Sequence, residues 1–393
     1  MRGRMPGEIL DTVDMLRRLV SFDTTSRNSN LPLVDWVADY LSGHGVRTEI
    51  LPDPTGTKAN MLATIGPDVP GGVVLSGHTD VVAVDGQAWT SDPWTLVERD
   101  GRVFGRGACD MKGFVAAALA AVPRFAAAPL ARPIHLALSY DEEVGCLGVG
   151  DLVRHMHASG LRPGLCIVGE PTDMQVVNAH KGGIVGTCTV RGVTGHSSQV
   201  HRTVNAVMYA SELIAEIARF GEALRAGPLD PAFDPPYSTV QVNIVKGGIQ
   251  HNVVPEACTF WWEHRALPGV RLDDVLDAMQ RFAEDRLLPR MRAVSPDVGV
   301  SIDVTARIPG LRAEPGSPAE TTVMRLAGTN GTGVVAFGTE GGSFQEIDIP
   351  TLVIGPGNIA QAHQPDEWVE RAQLDACDRF LDRVARHCTV AAD

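Results

Sequence analysis

Clusters of histidine and acidic side chains follow four short apolar runs that are typical of buried strands. The clusters are Ser76–Asp80, Tyr140–Glu143, Gly169–Thr172 and, after a glycine-rich loop, Ala362–Pro365. In an open α/β sheet, ligands bind in the crevice beyond the carboxyl ends of the strands. Because side chains that follow neighbouring strands meet at this edge, the four clusters together predict a buried metal site.

A fifth cluster, Gly105–Gly113, places Asp110 in a turn ahead of an alanine-rich helical segment. The glycines permit tight backbone paths there. Taken alone, Asp110 could equally be an N-terminal cap of that helix. Lone histidines are more often structural, and the adjacent pair Glu142 and Glu143 would usually be solvated, because charged side chains mostly stay exposed. The combination of all five clusters is what indicates a metal site.

Imidazole and carboxylate groups from these clusters make up the predicted ligand set. Its members are His78, Asp110, Glu143, Glu170 and His363. Such ligands suit Zn²⁺, and the set contains no thiolate. One catalytic zinc ion uses three protein ligands and keeps an open position, so five ligands are too many for it. Five ligands are the right number for two ions if one carboxylate bridges them, because each ion then has three protein ligands. The sequence therefore predicts a site for two Zn²⁺ ions, with Co²⁺ as the alternative metal.

Two further carboxylates have other predicted roles. Asp80 lies two residues after His78, and its carboxylate can accept a hydrogen bond from the imidazole N–H that faces away from the metal. Glu142 is next to a ligand but is not needed as one. In a dry, metal-rich site it is the predicted general base, which takes a proton from the bridging water.

The composition excludes several classes of function. The chain has 393 residues and a formal net charge of −13, which disfavours binding to nucleic acid or to an anionic membrane, since both need a concentrated basic patch. No apolar run reaches the ~18–20 residues that span a bilayer, and the N-terminus does not resemble a signal peptide. Seven cysteines without a CxxC pair are typical of reduced, buried thiols. We therefore expect a cytoplasmic protein.

The elements that would position the clusters alternate along the first ~180 residues, as in a sheet covered by helices. Predicted helices are Glu8–Val20, Leu31–His44 and Met111–Ala128, and predicted strands are Val73–Ser76, Ile134–Ser139 and Leu165–Val168. The strands are almost continuously apolar, which suits a sheet that is buried on both faces.

A different pattern begins near Ile184 and ends near Gly310. Its strands, Ile184–Val190, Thr239–Val245, Ala257–Trp262 and Val298–Val304, alternate polar and apolar residues, and its helices are Val204–Phe220 and Leu272–Leu288. The order strand, helix, strand, strand, helix, strand predicts a compact insert with an antiparallel sheet and one helical face.

The earlier pattern returns after the insert. Predicted elements are a helix at Ala319–Ala327, a strand at Thr351–Ile354 and a final helix at Asp366–Val384. We therefore predict a discontinuous catalytic α/β domain, residues 1–182 and 310–393, whose sheet is covered by helices. A smaller α+β domain, residues 183–309, is inserted into it.

Five motifs resemble those of one enzyme family, in order and spacing, over essentially the whole chain. The motifs are SGHTDVV, GRGACDMKG, DEEVG, GEPT and AHQPDE. They are similar to those of the acetylornithine deacetylase, succinyl-diaminopimelate desuccinylase and aminoacylase family of dinuclear zinc amidohydrolases. The resemblance implies a catalytic domain with a mixed sheet and an inserted lid domain, through which two chains form a homodimer.

The resemblance also implies how the ligands are shared. Asp110 would bridge the two ions, His78 and Glu170 would complete one site, and Glu143 and His363 would complete the other. Glu142 would act as acid and base. The peptide bond between Asp110 and Met111 would be cis, which is rare before a residue other than proline.

The insert contains a motif, Gly195–Ser198, that resembles the one whose histidine stabilises the oxyanion of the tetrahedral intermediate. The resemblance favours His196 over His201, because the family's histidine directly follows a glycine and precedes small residues. An exposed histidine beside a helix N-terminal cap is the alternative interpretation.

The resemblance implies four substrate-binding residues. They are Asn252 of a lid hairpin, Arg265, and Gly341 and Gly342 of a glycine-rich loop. Arg265 would pair with a substrate carboxylate, and the loop would lend backbone N–H groups to the substrate α-carboxylate. Glu340 would either face a cationic substrate group or be a structural carboxylate.

The expected reaction is hydrolysis of the amide bond of an N-acyl-L-amino acid. The resemblance favours N²-acetyl-L-ornithine, cleaved to L-ornithine and acetate in arginine biosynthesis. Gly342 replaces an alanine of the motif that acetylornithine deacetylases have at this loop. The alternatives are therefore a succinyl-diaminopimelate desuccinylase, another aminoacylase or a dipeptidase of the same metal chemistry. A non-catalytic small-molecule binding protein is the remote alternative.

Overall fold

The computed structural model describes residues 9–389. Glu8, where the first predicted helix begins, lies outside the described residues, as do the two ends of the predicted catalytic domain at 1–8 and 390–393. Within residues 9–389, no helix is long and apolar enough to cross a membrane.

Strands and helices alternate through most of the described chain. The strands are β1 (Arg47–Pro52), β2 (Ala59–Ile65), β3 (Val73–His78), β4 (Val97–Arg99), β5 (Arg102–Phe104), β6 (Ile134–Ser139), β7 (Leu165–Val168), β8 (Val177–His180), β9 (Gly182–Arg191), β10 (Gly195–His196), β11 (Thr239–Gly247), β12 (Val253–Val254), β13 (Ala257–Ala266), β14 (Gly299–Ile308), β15 (Gly333–Val335), β16 (Thr351–Val353) and β17 (Trp368–Glu370). The α-helices are α1 (Thr12–Val20), α2 (Leu31–Gly43), α3 (Lys112–Ala127), α4 (Val149–Ala158), α5 (Ala206–Leu224), α6 (Asp274–Phe282), α7 (Leu288–Arg292), α8 (Pro318–Ala327), α9 (Gly341–Gln345) and α10 (Arg371–Thr389).

An eight-stranded mixed sheet has the order β1-β2-β6-β3-β7-β16-β8-β15. β3 runs parallel to both β6 and β7, with His78 opposite Ser139 and Ser76 opposite Val168. Every residue of these three strands is buried, as their apolar runs predict. Because the strands are parallel and in register, their carboxyl ends lie together at one edge of the sheet.

The alanine-rich helix α3 is buried along almost its whole length. Its approach to the sheet is close: a Cβ atom on Gly169, directly after β7, would lie 2.0 Å from the ring of Phe114. A glycine is therefore needed at this position. Since α3 begins two residues after Asp110, its packing also fixes where the turn that carries Asp110 meets the strand ends.

A second sheet, in the order β11-β13-β9-β14, is antiparallel throughout. β9 and β13 alternate buried and partly exposed residues. The buried face, with Phe260 and Trp262, shares one apolar core with Leu213 and Ile217 of α5. The predicted α+β architecture of the insert, with its antiparallel sheet, is thus confirmed.

Internal contacts divide the described chain into two compact units. The larger comprises residues 9–179, 311–334 and 339–389, and the smaller comprises residues 180–310 and 335–338. The predicted domain boundaries, with a catalytic domain at 1–182 and 310–393 and a lid at 183–309, concern function as well as contacts, and they stay predictions.

Several predicted elements differ from those observed. The final helix was expected from Asp366, but residues 368–370 form β17, which pairs with β5 through Val369 and Val103, and α10 begins only at Arg371. The expected helix Leu272–Leu288 is interrupted by a π-helical stretch at Ala283–Leu287. A strand partner that is distant in sequence, such as β5, leaves no mark in the local pattern of residues 366–370.

Candidate metal centre

The strand ends and two loops bring the predicted ligands together in the larger unit. His78 is the last residue of β3, Glu143 and Glu170 follow β6 and β7, Asp110 precedes α3, and His363 precedes β17. The peptide bond between Asp110 and Met111 is cis, as the resemblance implied. All five side chains therefore reach one edge of the large sheet from different parts of the chain.

Two groups of possible metal ligands share Asp110. His78 Nε2 lies 3.1 Å from Asp110 Oδ1 and 3.9 Å from Glu170 Oε1. On the other side, His363 Nε2 lies 3.1 Å from Asp110 Oδ2 and 3.0 Å from Glu143 Oε2. Within each group the ligand atoms all lie within 4.8 Å of one another. The carboxylate of Asp110 thus faces one imidazole with each oxygen, which is the arrangement that a bridging ligand requires.

Electrostatics also fit two divalent cations. Burial, together with repulsion by Asp110, raises the pKa values of Glu143 and Glu170. Burial likewise raises the pKa of Glu142, and the charges of Glu143 and Asp110 add to this effect. Moreover, Glu143 Oε1 is buried and has no hydrogen-bond partner among the described residues. A crowded, under-neutralised set of carboxylates with a free buried oxygen is what divalent cations would stabilise.

The two halves of the centre differ in exposure. His78, Asp110 and Glu170 are all buried, whereas the side chain of His363 is 49 % exposed. His363 also has a φ of 60°, a left-handed conformation that is uncommon for a residue other than glycine. The half of the centre around His363 is therefore the less enclosed one, and packing alone does not hold it.

Asp80 contacts His78 differently from the prediction. The His78 Nδ1–H donates to the main-chain carbonyl of Asp80 at 2.9 Å, whereas the carboxylate Oδ1 lies 3.6 Å away, too far for a hydrogen bond. The carboxylate instead accepts from the backbone N–H groups of Glu142, at 3.1 Å, and Glu143, at 3.3 Å, and from Ser26 Oγ, at 2.7 Å. The expected carboxylate–imidazole contact is thus wrong, because the side chain turns toward the segment after β6.

The contact with the Asp80 carbonyl defines the state of His78. Because a carbonyl oxygen only accepts, the proton of the neutral ring lies on Nδ1. In the metal-free protein Nε2 donates to Asp110 Oδ1 at 3.1 Å, and with a metal ion bound Nε2 would lose this proton and present its lone pair on the side of Asp110 and Glu170. This is the tautomer that a metal ligand needs.

Glu142 lies beside the ligands without belonging to either group of three. The thiol of Cys146 donates to its Oε1 at 3.3 Å. Its backbone is held by Asp80, as described above. Burial raises the pKa of Glu142 in the metal-free protein, and a carboxylate that lies beside the ligands without being one of them is what the predicted base requires.

Three predicted residues belong to the smaller unit. His196 is exposed, and its Nδ1 contacts Ser198 Oγ at 2.7 Å and accepts from the Ser198 N–H at 3.2 Å, at the start of a short 3₁₀ helix, Ser197–Arg202. Asn252 is exposed in a turn. Arg265 is exposed and lies 3.4 Å from Glu263. The predicted roles of His196, Asn252 and Arg265 in binding and catalysis stay predictions.

The predicted glycine-rich loop is partly helical. Gly341 and Gly342 are buried and begin α9, and the Gly341 N–H already donates to Thr339 Oγ1 at 3.0 Å. The expectation that this N–H binds substrate is therefore not supported by its hydrogen bonding. Glu340 is 1 % exposed and accepts from Ser76 Oγ at 3.2 Å, which favours the structural alternative for this carboxylate.

A buried ion pair behind the centre was not predicted. Arg106 Nη1 lies 2.7 Å from Glu367 Oε2, and both side chains are 1 % exposed. Glu367 also accepts from the N–H groups of Gly107, Cys109 and Asp110, at 2.9, 2.9 and 3.0 Å. Both charged residues lie inside the motifs GRGACDMKG and AHQPDE, so the signal was present, but a pairing between residues so distant in sequence is not visible in either motif.

Comparison with known proteins places these features in a family. The sequence profile of peptidase family M20/M25/M40 matches residues 74–387. The acetylornithine deacetylase of Salmonella typhimurium is 36% identical over 360 residues, which cover 91% of each chain. That of Salmonella arizonae is 36% identical over 361 residues, with 91% of each chain covered.

Solved structures share the fold at low sequence identity. A metallo-carboxypeptidase of the M20 family from Sulfolobus solfataricus has a TM-score of 0.76 at 15% identity, covering 97% of this chain and 99% of that one. Human carnosine dipeptidase 1 has a TM-score of 0.71 at 19% identity, covering 96% of both chains. A dinuclear metal binding peptidase from Bacillus subtilis has a TM-score of 0.63 at 15% identity, covering 95% of this chain and 96% of that one.

Proposed function

The chain belongs to peptidase family M20/M25/M40, and as such is a metal-dependent hydrolase of amide bonds; we propose that it cleaves N²-acetyl-L-ornithine to L-ornithine and acetate. The observation that carries the chemistry is the pair of ligand groups that share Asp110. The substrate is supported by the similarity to acetylornithine deacetylases over 91% of the chain. The proposed place of the reaction is arginine biosynthesis.

Two Zn²⁺ ions would be held by the five ligands. His78 and Glu170 would bind one ion, Glu143 and His363 the other, and Asp110 both. Bound there, the ions would supply Lewis-acid activation and stabilise negative charge. The donor set of imidazoles and carboxylates supports zinc and also suits Co²⁺.

Glu142 would move the protons of the reaction. Its carboxylate takes a proton from the attacking water and returns it to the amine that leaves. Asp80 supports this role, because it fixes the backbone of Glu142 and Glu143 together. The base and a ligand are thereby set relative to each other by one carboxylate.

Residues of the smaller unit would complete the reaction. In this proposal, His196 stabilises the oxyanion, Asn252 assists substrate binding, and Arg265 pairs with a substrate carboxylate. The exposure of all three leaves them accessible to a substrate, and the ion pair of Arg265 with the partly exposed Glu263 is of a kind that is weak in solvent.

A homodimer through the smaller unit is part of the proposal. β11 is an edge strand and carries the exposed apolar residues Ile244 and Val245, while Ile249 and Met208 are exposed in the same unit. An apolar strand edge of this kind is usually covered by a partner. Sedimentation equilibrium should give twice the chain mass, and Val245→Lys should shift it toward the monomer.

A cytoplasmic location is also proposed. All seven cysteines are free and buried, which is typical of proteins from a reducing compartment. The proposed location also follows from the metabolic role proposed above.

The test is a substrate panel with enzyme reconstituted with Zn²⁺. We expect about two zinc ions per chain, and a kcat/KM for N²-acetyl-L-ornithine at least about tenfold above those for N-succinyl-diaminopimelate and for dipeptides. A chain that binds two zinc ions but prefers another member of the panel would contradict the substrate and keep the chemistry. A chain that binds two ions and cleaves nothing in the panel would contradict both.

A further inference from the structure

Gln87 lies between the buried ion pair of Arg106 and Glu367 and the exposed half of the metal centre. Its Nε2 donates to the main-chain carbonyl of His363 at 3.0 Å. Its Oε1 accepts from Arg106 Nη2 at 2.5 Å and from Trp89 Nε1 at 3.0 Å. Both ends of the Gln87 amide are therefore hydrogen-bonded. The amide connects the loop that carries His363 to the buried ion pair of Arg106 and Glu367.

The ion pair is rigid for physical reasons. Arg106 and Glu367 are each 1 % exposed and joined at 2.7 Å, and the guanidinium also lies 5.1 Å from the ring of Trp89. A buried charge pair that is satisfied by several hydrogen bonds does not move without losing them. Glu367 additionally holds the turn before α3 through the Asp110 N–H.

The pair of Arg106 and Glu367 therefore contacts two of the three segments that carry the ligands of the exposed half. Glu367 holds the backbone of Asp110 directly, and Arg106 holds the backbone of His363 through Gln87. A second hydrogen bond, from the Thr90 N–H to Asp366 Oδ1 at 2.8 Å, also joins segment 87–90 to segment 363–367.

His363 needs such support more than His78 does. His78 is 1 % exposed, lies at the end of a central strand and is oriented by the Asp80 carbonyl. His363 is half exposed and in a left-handed conformation. Because a ligand on a loop is only as well placed as its backbone, a hydrogen bond to its carbonyl has a direct effect on the ligand atom.

We propose that Gln87 is a positioning residue for His363, which sets the affinity of the exposed half of the centre for its metal ion and leaves the buried half unaffected. The inference rests on the proposed dinuclear function. The physical basis is the chain of contacts from Glu367 through Arg106 and Gln87 to the carbonyl of His363.

The test is a Zn²⁺ titration of the metal-free full chain by calorimetry, in competition with a chelator. In Gln87→Ala we expect one ion to bind as in the wild type and the second to bind about 10- to 100-fold more weakly, the usual effect of losing a group that orients a ligand. Gln87→Glu keeps the acceptor for Arg106 and Trp89 but loses the donor to His363, so it should weaken the second ion at least as much.

Gln364→Ala is the matched control. Gln364 is exposed and follows His363 directly, and its carbonyl, which Arg106 contacts at 3.5 Å, remains in the variant. We expect wild-type binding of both ions. Circular dichroism and thermal unfolding of the metal-free Gln87 variants should match the wild type, which separates positioning from loss of fold.

The outcomes distinguish this inference from the proposed function. Two ions bound with unchanged affinities in Gln87→Ala, or both weakened equally, would overturn the inference alone. A wild-type chain that takes up fewer than two zinc ions would overturn the dinuclear function and the inference with it.

Discussion

Asp110 is the side chain on which both halves of the metal centre depend. Each of its oxygens lies 3.1 Å from a different imidazole. Burial acts to raise its pKa, but the hydrogen bonds from His363 and His78 outweigh burial and lower it. Asp110 therefore stays ionised where Glu142 and Glu143, with raised pKa values, hold protons more readily. Neighbouring carboxyl groups with pKa values driven apart can take different chemical roles.

The base assignment predicts the effect of Glu142→Gln. The amide has the shape of the carboxyl group and can still accept from Cys146, so both metal ions should remain, by metal analysis. It cannot take a proton, so turnover should fall by about 10²–10⁴-fold. Glu346→Gln, at an exposed carboxylate after α9, is the control and should keep full turnover. Full activity in the metal-loaded Glu142→Gln enzyme would remove Glu142 as the base.

At the scale of elements, three parallel strands and one helix build the centre. β3 and β6 end opposite each other, β7 ends opposite Ser76, two residues before the end of β3, and α3 packs so closely that glycine is required after β7. The segment after β16 is equally close: a Cβ atom on Gly355 would lie 2.0 Å from the carbonyl oxygen of Gly169 and 2.6 Å from that of Glu170. A backbone contact of this kind leaves no flexible side chain to move aside.

Gly355→Ala should therefore displace the loop that carries Glu170. We expect a loss of about 1–3 kcal/mol in the free energy of unfolding, as in other overpacked sites, measured by urea denaturation. Gly331→Ala is the matched control, because a Cβ atom there meets nothing within 4 Å, and it should stay within about 0.5 kcal/mol of the wild type. Equal stabilities of the two variants would show that the segment can shift freely.

For the whole molecule, the free energy of unfolding depends on pH, because folding shifts the pKa values of buried side chains. Burial lowers the pKa values of His135, His180 and His264 from 6.5 to about 4. Between these pH values the unfolded chain binds protons that the folded chain does not, so stability falls as the pH drops from 6.5 to 4. The carboxyl groups of the metal-free centre have raised pKa values, so they contribute a change of stability with pH in the opposite direction.

His264→Phe isolates one of these groups. His264 is fully buried, and neither ring nitrogen has a hydrogen-bond partner among the described residues. Phenylalanine does not titrate, so the stability of the variant relative to the wild type should rise by about 2–3 kcal/mol between pH 7 and pH 4.5. Urea denaturation at both pH values measures this, and a difference that does not change with pH would refute the buried neutral histidine.

Metal removal should change the pH dependence of stability in the opposite direction to the buried histidines. Without metal, the raised pKa values of Glu143 and Glu170 make the folded chain bind more protons than the unfolded chain above pH ~4.5, so the metal-free protein loses stability as the pH rises. Bound ions remove this effect and stabilise the fold further by mass action. The difference in Tm between zinc-loaded and chelator-treated protein should therefore grow from about pH 5 to pH 8. A difference independent of pH would contradict the proposed ligands.

Residue types and their order along the chain were sufficient for much of this picture. The cis bond after Asp110 was implied by the family resemblance, whereas the candidate ligands and the strands Ile134–Ser139 and Leu165–Val168 could be predicted from the residues themselves. The candidate ligands and the strands are local features, because an apolar run followed by a histidine or an acidic residue predicts a strand and a possible ligand without reference to distant residues. The family resemblance added which ligand would bridge.

Tertiary packing decided what local patterns cannot contain. The Asp80 carboxylate turns to the Glu142 backbone, β17 replaces the start of a predicted helix, and Arg106 reaches Glu367 and Gln87. Each depends on a partner from a distant part of the chain, chosen by the geometry of burial and hydrogen bonding and not by any nearby residue. Spacing in the sequence therefore predicts which groups do the chemistry, while packing determines what holds them in place.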